Sequence, residues 1–397
     1  MEPESVFRSD LFRSTKPNKK SQILSLIRAA QPITRTEIAE RLAIDKSTVA
    51  EDLTPLIKSG VLLEASADVE GQNRRARVLS FAPGSDYFIG VNLGVRHSQV
   101  GITTLTGDIA DEDDFETPKD PKAALRAARE RISGLATKHG ESGLKMIGVS
   151  VPGMTDADRQ TLVFAPNLEW RSVDIANALR INDSAGVVVE NDSNAAAMYE
   201  ARTRINNSQD ASMTNFILVR SGTGIGVGLV IGGEVYRGTG IGRGMAGEFG
   251  HMTIVAGGKP CVCGNRGCWE KYASAASAAW LYLGDRPPAR HENIPRFVEI
   301  VSKAENGDTR SRRTLEKIGE YLGIGIANVI MGVGIPRVIV SGRLVYGWDF
   351  IKQPLREAIG RSIVGKMEGW SVEAGEPAGA AIGGALEVAV EEYLSTL

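Results

Sequence analysis

All three cysteines of this 397-residue chain fall in one short stretch, CVCGNRGC, as Cys261, Cys263 and Cys268. One of its four histidines, His251, stands ten residues ahead of Cys261. One imidazole nitrogen and three thiolates make a closed tetrahedral shell for Zn2+, with no position left for water or substrate, so the metal expected there is structural. An odd cysteine count gathered in one knot fits a metal in a reducing compartment better than a disulfide framework. Two carboxylates flank the knot: Glu248 three residues before His251, and Glu270 two residues after Cys268. Chelation would fix both in space. A further amide and carboxylate, Asn191 and Asp192, follow the apolar run GVVVEN, at the carboxyl end of an expected strand, where open α/β sheets bind their ligands. Carboxylates and amides are the groups that sort a ring of hydroxyls by paired hydrogen bonds.

The elements that must hold these residues are α/β in character. YFIGVNLGVRHSQVGITTL, from Tyr87, predicts two strands around a turn near 95–97. TNFILVRSGTGIGVGLVIGG, from Thr214, has the same layout, so the chain carries an internal duplication. Strands are expected at 145–151, 186–191 and 337–341. Helices are expected at 121–138, 193–204, 308–332, 348–360 and 378–394. A duplicated α/β unit of this kind is the layout of an actin-like (sugar-kinase-like, RNase H-like) fold, with ligands in the cleft between two lobes. The expected boundaries are 83–397 for this domain, its lobes being 83–205 plus the C-terminal helix, and 206–380.

Residues 1–82 have a different period. Residues 18–30 place Ile23, Leu26, Ile27 and Ala30 on one helical face. A second helix opens with Thr34 and has Glu37 three residues on, the pattern of a capping box. A third, KSTVAEDLTPLIKSG, is capped by Asp45, turns Val49, Leu53, Leu56 and Ile57 inward, contains Pro55 and stops at Gly60. Two expected strands, VLLEAS and ARVLSF, then enclose a polar loop with Arg74 and Arg75, and Arg77 follows. Three helices and a basic wing predict a winged helix-turn-helix on double-stranded DNA. Lys46, Ser47 and Thr48 would face the major groove and Thr34 and Arg35 the backbone, with Arg74 and Arg75 on the wing. A three-helix bundle for protein contact is the alternative.

GIGRGMAGEFGHMTIVAGGKPCVCGNRGCWE resembles the ROK family (repressors, open reading frames and kinases), whose signature pairs GEFGH with CxCGxxGCxE. With the helix-turn-helix, the chain is similar to the repressor branch of that family. The resemblance implies zinc on His251 and the three cysteines, and a sugar bound by Glu248, His251, Glu270, Asn191 and Asp192. Asn167, in APNLEW, and VPG at 151–153 resemble other sugar-side loops. In ROK kinases the residue matching Asp192 is the general base, and the first glycine-rich turn begins with an aspartate. Here that turn is NLGVRH, with Asn92, Val95 and Arg96 in place of Asp, Gly and Thr, while SGTGIGVG at 221–228 is kept. The sugar-binding half of the pattern is intact and the nucleotide-binding half degraded. The resemblance therefore implies a sugar-responsive regulator, probing operator DNA as a homodimer or tetramer, its effector a sugar or sugar phosphate. An active ATP-dependent sugar kinase with an appended DNA-binding domain is the alternative, and a protein-binding scaffold a third.

Composition sets outer limits. Net charge is −2, with 42% hydrophobic and 24% charged residues, which excludes a protein basic throughout. No apolar run approaches the ~20 residues of a membrane span, and MEPESVFRSDLFRSTKPNKK lacks the apolar centre of a signal peptide. The expectation is a cytoplasmic protein.

Overall fold

The computed structural model describes residues 19–67, 76–107, 109–207, 214–239, 244–286, 293–377 and 380–397. The N-terminal module is built on three helices, α1 (Lys19–Ala30), α2 (Arg35–Leu42) and α3 (Lys46–Lys58), and a small sheet. Its strands β1 (Ile33–Thr34), β2 (Leu62–Ala67) and β3 (Ala76–Phe81) lie in the order β1-β3-β2. Ile23, Leu26 and Ile27 of α1 and Val49, Leu53 and Leu56 of α3 are buried, as their helical spacing requires. Thr34 caps α2 in a complete capping box with Glu37. Asp45 precedes α3 without making the expected side-chain cap. Pro55 is exposed and stays inside α3.

The larger domain repeats one sheet topology. In the first sheet, β4 (Tyr87–Asn92), β5 (His97–Thr103) and β6 (Ile109–Glu116) form an antiparallel meander. Strands β7 (Leu144–Val151) and β11 (Gly186–Asn191) extend it in parallel beyond β4. In the second, β12 (Phe216–Ser221), β13 (Ile225–Ile231) and β14 (Glu234–Val235) form the meander, and β15 (Arg337–Gly342) and β16 (Ser371–Ala374) extend it in parallel beyond β12. The two orders, β11-β7-β4-β5-β6 and β14-β13-β12-β15-β16, mirror each other strand for strand. A three-stranded flap of β8 (Met154–Thr155), β9 (Thr161–Ala165) and β10 (Trp170–Asp174) leaves the first lobe; its short strands were not expected.

Helices cover both faces. α4 (Pro121–His139) and α5 (Ile175–Leu179) pack into the first core with the flap. Following α6 (Asp192–Asn207) and the short α7 (Glu270–Ala273) and α8 (Ala278–Tyr282), the helices α9 (Phe297–Glu305), α10 (Thr309–Val333) and α11 (Trp348–Gly360) cover one face of the second sheet. α12 (Ala380–Thr396) returns to β4 and β7 of the first sheet. α6, which the 83–205 boundary gives to the first lobe, reaches the second sheet as well. Its Ser193 and Ala197 press on Gly226 and Gly228 of β13, so it covers the second sheet. α6 and α12 pack on each other, and a Cβ on Gly384 would lie 2.7 Å from the Ala195 carbonyl carbon. Only glycine permits that approach. The two helices form a central layer between the sheets. No helix among the described residues is long and apolar enough to cross a membrane.

Candidate functional site

The four residues of the cysteine knot meet in space. Their ligand atoms lie within 4.8 Å of one another. Cys263 Sγ is 3.7 Å from Cys268 Sγ, and Cys261 Sγ is 3.5 Å from His251 Nδ1. A tight reversal sets the spacing: Gly264 N–H donates to Cys261 O and Cys261 N–H to Asn265 O. A bridge between Thr253 and Cys268 then ties the knot back to the segment that carries His251. Burial pushes the thiols of Cys261 and Cys268 up, the Glu270 and Cys263 side chains adding to it. Thiolates in this place require a cation, and the cluster could hold a metal ion.

The knot opens onto a cavity of about 350 Å3 between the two sheets, lined by Asn167, Asn191, Asp192, Glu248, His251 and Glu270 together. All six expected sugar-side residues are thus brought to one place. Glu270 is 2% exposed, at the start of α7, where Cys261 Sγ lies 3.2 Å from its Oε1 and Lys271 Nζ 2.9 Å. A Cβ on Gly224 would stand 2.3 Å from Glu270 Oε2, so that turn must be glycine for the carboxylate to reach the cavity. Glu248 sits 3.9 Å from His251 Nε2, on the ring edge opposite the cysteines. Its carboxyl is pushed up to about 7 by burial in the cleft, with the negative charges of Asp192 and Glu270 adding to it.

Asn191 has a structural duty as well. Its Oδ1 accepts from Ser193 and Asn194 N–H, closing the start of α6, and its Nδ2 donates to Gly153 O at 2.9 Å. It therefore fixes Asp192 relative to the 151–153 loop. In the altered first turn, Asn92 is tied into the sheet by Gln99 and Ser150, while Arg96 and His97 are exposed at the cavity mouth. One partner was missed. Arg220, next to last in β12, donates from Nη1 to Asp192 Oδ2 at 2.6 Å. A charge before a glycine turn gave no sign of it, because the pairing depends on how the two sheets meet.

On the winged module, Lys46 and Ser47 are exposed at the start of α3 and Thr48 is half-buried. The two residues expected at the DNA backbone both have partners within the module. Thr34 is 9% exposed and its hydroxyl is spent on Glu37, donating to Oε2 and accepting from N–H. Arg35 Nε instead meets Glu64 Oε1 at 2.9 Å, on β2, and Arg77 takes the other oxygen of that carboxylate at 2.8 Å. Arg74 and Arg75 lie outside the described residues.

The model of the ROK family matches residues 88–391, and a model of winged helix-turn-helix DNA-binding domains matches residues 18–62. A xylose repressor from Bacillus subtilis is 29% identical over 355 residues, covering 89% of this chain and 88% of the repressor. The crystal structure of a ROK family transcriptional regulator, a homologue of the E. coli MLC protein, shares the fold over 94% of this chain and 95% of its own, with a TM-score of 0.74 and 20% identity. A ROK family glucokinase from Streptomyces griseus, in complex with glucose and AMPPNP, aligns over 77% of this chain and 99% of its own, with a TM-score of 0.64 and 26% identity.

Proposed function

This chain belongs to the ROK family, and we propose that within it the protein is a sugar-responsive DNA-binding repressor of carbohydrate genes. The observation that carries this is a winged helix-turn-helix fused to a cavity in which Asn167, Asn191, Asp192, Glu248, His251 and Glu270 converge. Lys46, Ser47 and Thr48 present the base-reading end of α3 to a major groove, with Arg74 and Arg75 as further DNA contacts. The effector is a sugar or sugar phosphate, and the working form is a cytoplasmic homodimer whose two modules read paired half-sites.

The metal is a structural Zn2+ on His251, Cys261, Cys263 and Cys268. Zn–S and Zn–N bonds of ~2.3 and ~2.0 Å imply tetrahedral edges of about 3.8 and 3.5 Å, which the observed 3.7 and 3.5 Å support. With Nδ1 given to the metal, Nε2 of His251 is turned toward Glu248 and the sugar. The ion supplies rigidity, and the protein side chains do the recognition.

Phosphoryl transfer is not part of this reading. Asn92 stands where ROK kinases carry a metal-organising aspartate, and Asp192 is held by Arg220. The relation to glucokinases, the 221–228 turn and Asp192 favour the kinase alternative. Genomic fragments selected on the full-length protein, titrated with and without hexoses, pentoses, N-acetylhexosamines and their phosphates, decide between the two. A change of DNA affinity with one sugar, and no ATP turnover with that sugar, is expected. ATP turnover abolished by Asp192→Asn would instead establish the kinase.

A further inference from the structure

Two ion pairs tie the carboxyl-end region of the first sheet to the second lobe, and they differ in kind. Glu190, on β11, is 1% exposed and is fully occupied: Arg237 Nε lies at 2.6 Å, Arg159 Nη2 at 3.3 Å and Asn194 Nδ2 at 2.9 Å. Asp192, two residues on, takes among the described residues a single cation, Arg220 of β12, and Ser193 Oγ at 3.2 Å. Its side chain is 21% exposed and that of Arg220 25%. Both line the cavity that also holds Glu248 and Glu270. The first pair is over-determined. The second stands in the space where an effector must sit.

We infer that Arg220 is the gate of this cavity: it occupies the Asp192 carboxylate in the sugar-free protein, and an uncharged sugar binds by displacing it. The inference rests on the sugar-sensing reading above. The pair is only partly buried and lines the cavity itself, so two hydroxyls donating charge-assisted bonds to one carboxylate can compete with it. Displacement removes a tie between the ends of β11 and β12, and the sugar thereby makes different contacts in the two arrangements of the sheets, which any effector needs in order to shift an equilibrium. The same guanidinium keeps the Asp192 lone pairs from a sugar hydroxyl in the absence of ligand. Arg220 thus acts on specificity, favouring ligands with hydroxyls enough to replace it, and is a positioning residue for the transition.

The test uses full-length wild type, Arg220→Gln and Arg220→Lys, with glucose, xylose and N-acetylglucosamine and their phosphates as probes. Sugar affinity is read by calorimetry and DNA affinity by anisotropy on the selected fragments. Arg220→Gln is expected to bind the neutral sugar about tenfold tighter, and its sugar-free DNA affinity to move toward that of sugar-bound wild type, with Arg220→Lys between the two. Unchanged or weaker binding of the neutral sugar in Arg220→Gln overturns the gate. So does a wild type that takes only a phosphorylated sugar and loses it in Arg220→Gln, because Arg220 is then an anion clamp. If no probe binds the wild type or alters its DNA affinity, the sugar-sensing reading itself fails, whatever the variants do.

Discussion

Glu248 shows how much single residues here depend on their surroundings. A glutamate in a glycine-rich loop is ordinarily a solvated charge; in this fold it faces His251 across 3.9 Å, and burial, with the charges of Asp192 and Glu270 adding to it, pushes its carboxyl up to about 7. Glu248→Ala removes one partner of the sugar hydroxyls while leaving the winged module untouched. Hydrogen bonds to charged groups contribute about 1.5–3 kcal/mol, so calorimetry should show sugar binding weakened about 10- to 100-fold, with sugar-free DNA affinity unchanged. Equal loss of both would place Glu248 in folding and not in recognition. Glu248, His251 and Glu270 were legible from their spacing around the knot, Asn191 and Asp192 from their place after an expected strand, and Asn167 only through the family resemblance. Arg220, Arg237 and the buried Glu190 were not, since each is paired with a residue from another segment, and a lone charge at a strand end carries no mark of its partner.

At the scale of elements, the knot and the recognition helix make separable claims. The Cys261–Cys268 loop has few buried apolar side chains of its own beyond Trp269 at its end, so its shape depends on chelation. Cys263→Ser, or extraction of the metal, should lower bound zinc from one equivalent per chain and abolish the sugar response together. A full sugar response at zero zinc would defeat the structural role. α3 is tested by Lys46→Ala: an exposed lysine at its base-reading end should contribute about 1–3 kcal/mol of discrimination, so affinity for the selected fragments over random DNA should fall about 5- to 150-fold. An unchanged ratio would remove Lys46 from base readout. Long elements were legible to within three residues at each end, α10 and α11 above all, because apolar positions at helical period persist over several turns. The flap was missed. β8, β9 and β10 are two to five residues long, too short for alternation to stand out. α6 was found, but its contact with the second sheet was not: its small face of Ser193 and Ala197 fits the glycines of β13, a match between segments that no local period contains.

The whole molecule is organised around the central helix pair, and the DNA-binding module rests on it. α1 packs on both α6 and α12, and one apolar cluster runs from Ile23 and Leu24 through Phe88 to Val390 and Leu394. Polar ties follow the same path. Arg28 of α1, 3% exposed, donates to Glu387 of α12, and Arg202 of α6 meets the same carboxylate. Arg41 Nη1 reaches Ile205 O of α6 at 3.4 Å. These pairs lie up to 359 positions apart, so Arg28 looked like an ordinary helix-end charge in the sequence. The helix whose first residue is Asp192 therefore also carries, on its last turns, the contacts that seat the winged module. Its seat contains a titrating group. Ser25 Oγ donates to Glu391 Oε2 at 2.5 Å, and the Glu391 carboxyl is pushed up to about 7, by burial first and by Glu387 in addition, with Ser25, Arg28 and Arg202 opposing. Folded protein thus holds a proton on Glu391 that the unfolded chain, at its ordinary value of 4.5, has released. Between those two values the native state binds more protons than the unfolded one, and stability falls as pH rises. The urea midpoint of the full-length protein should accordingly decline from about pH 5 to about pH 7. Glu391→Gln, which keeps the shape and cannot ionise, should make that decline shallower, leaving the share of Glu248, and raise the midpoint at pH 7. A variant that declines as steeply as wild type would show that the proton is taken up elsewhere, and that the seat of α1 is indifferent to it.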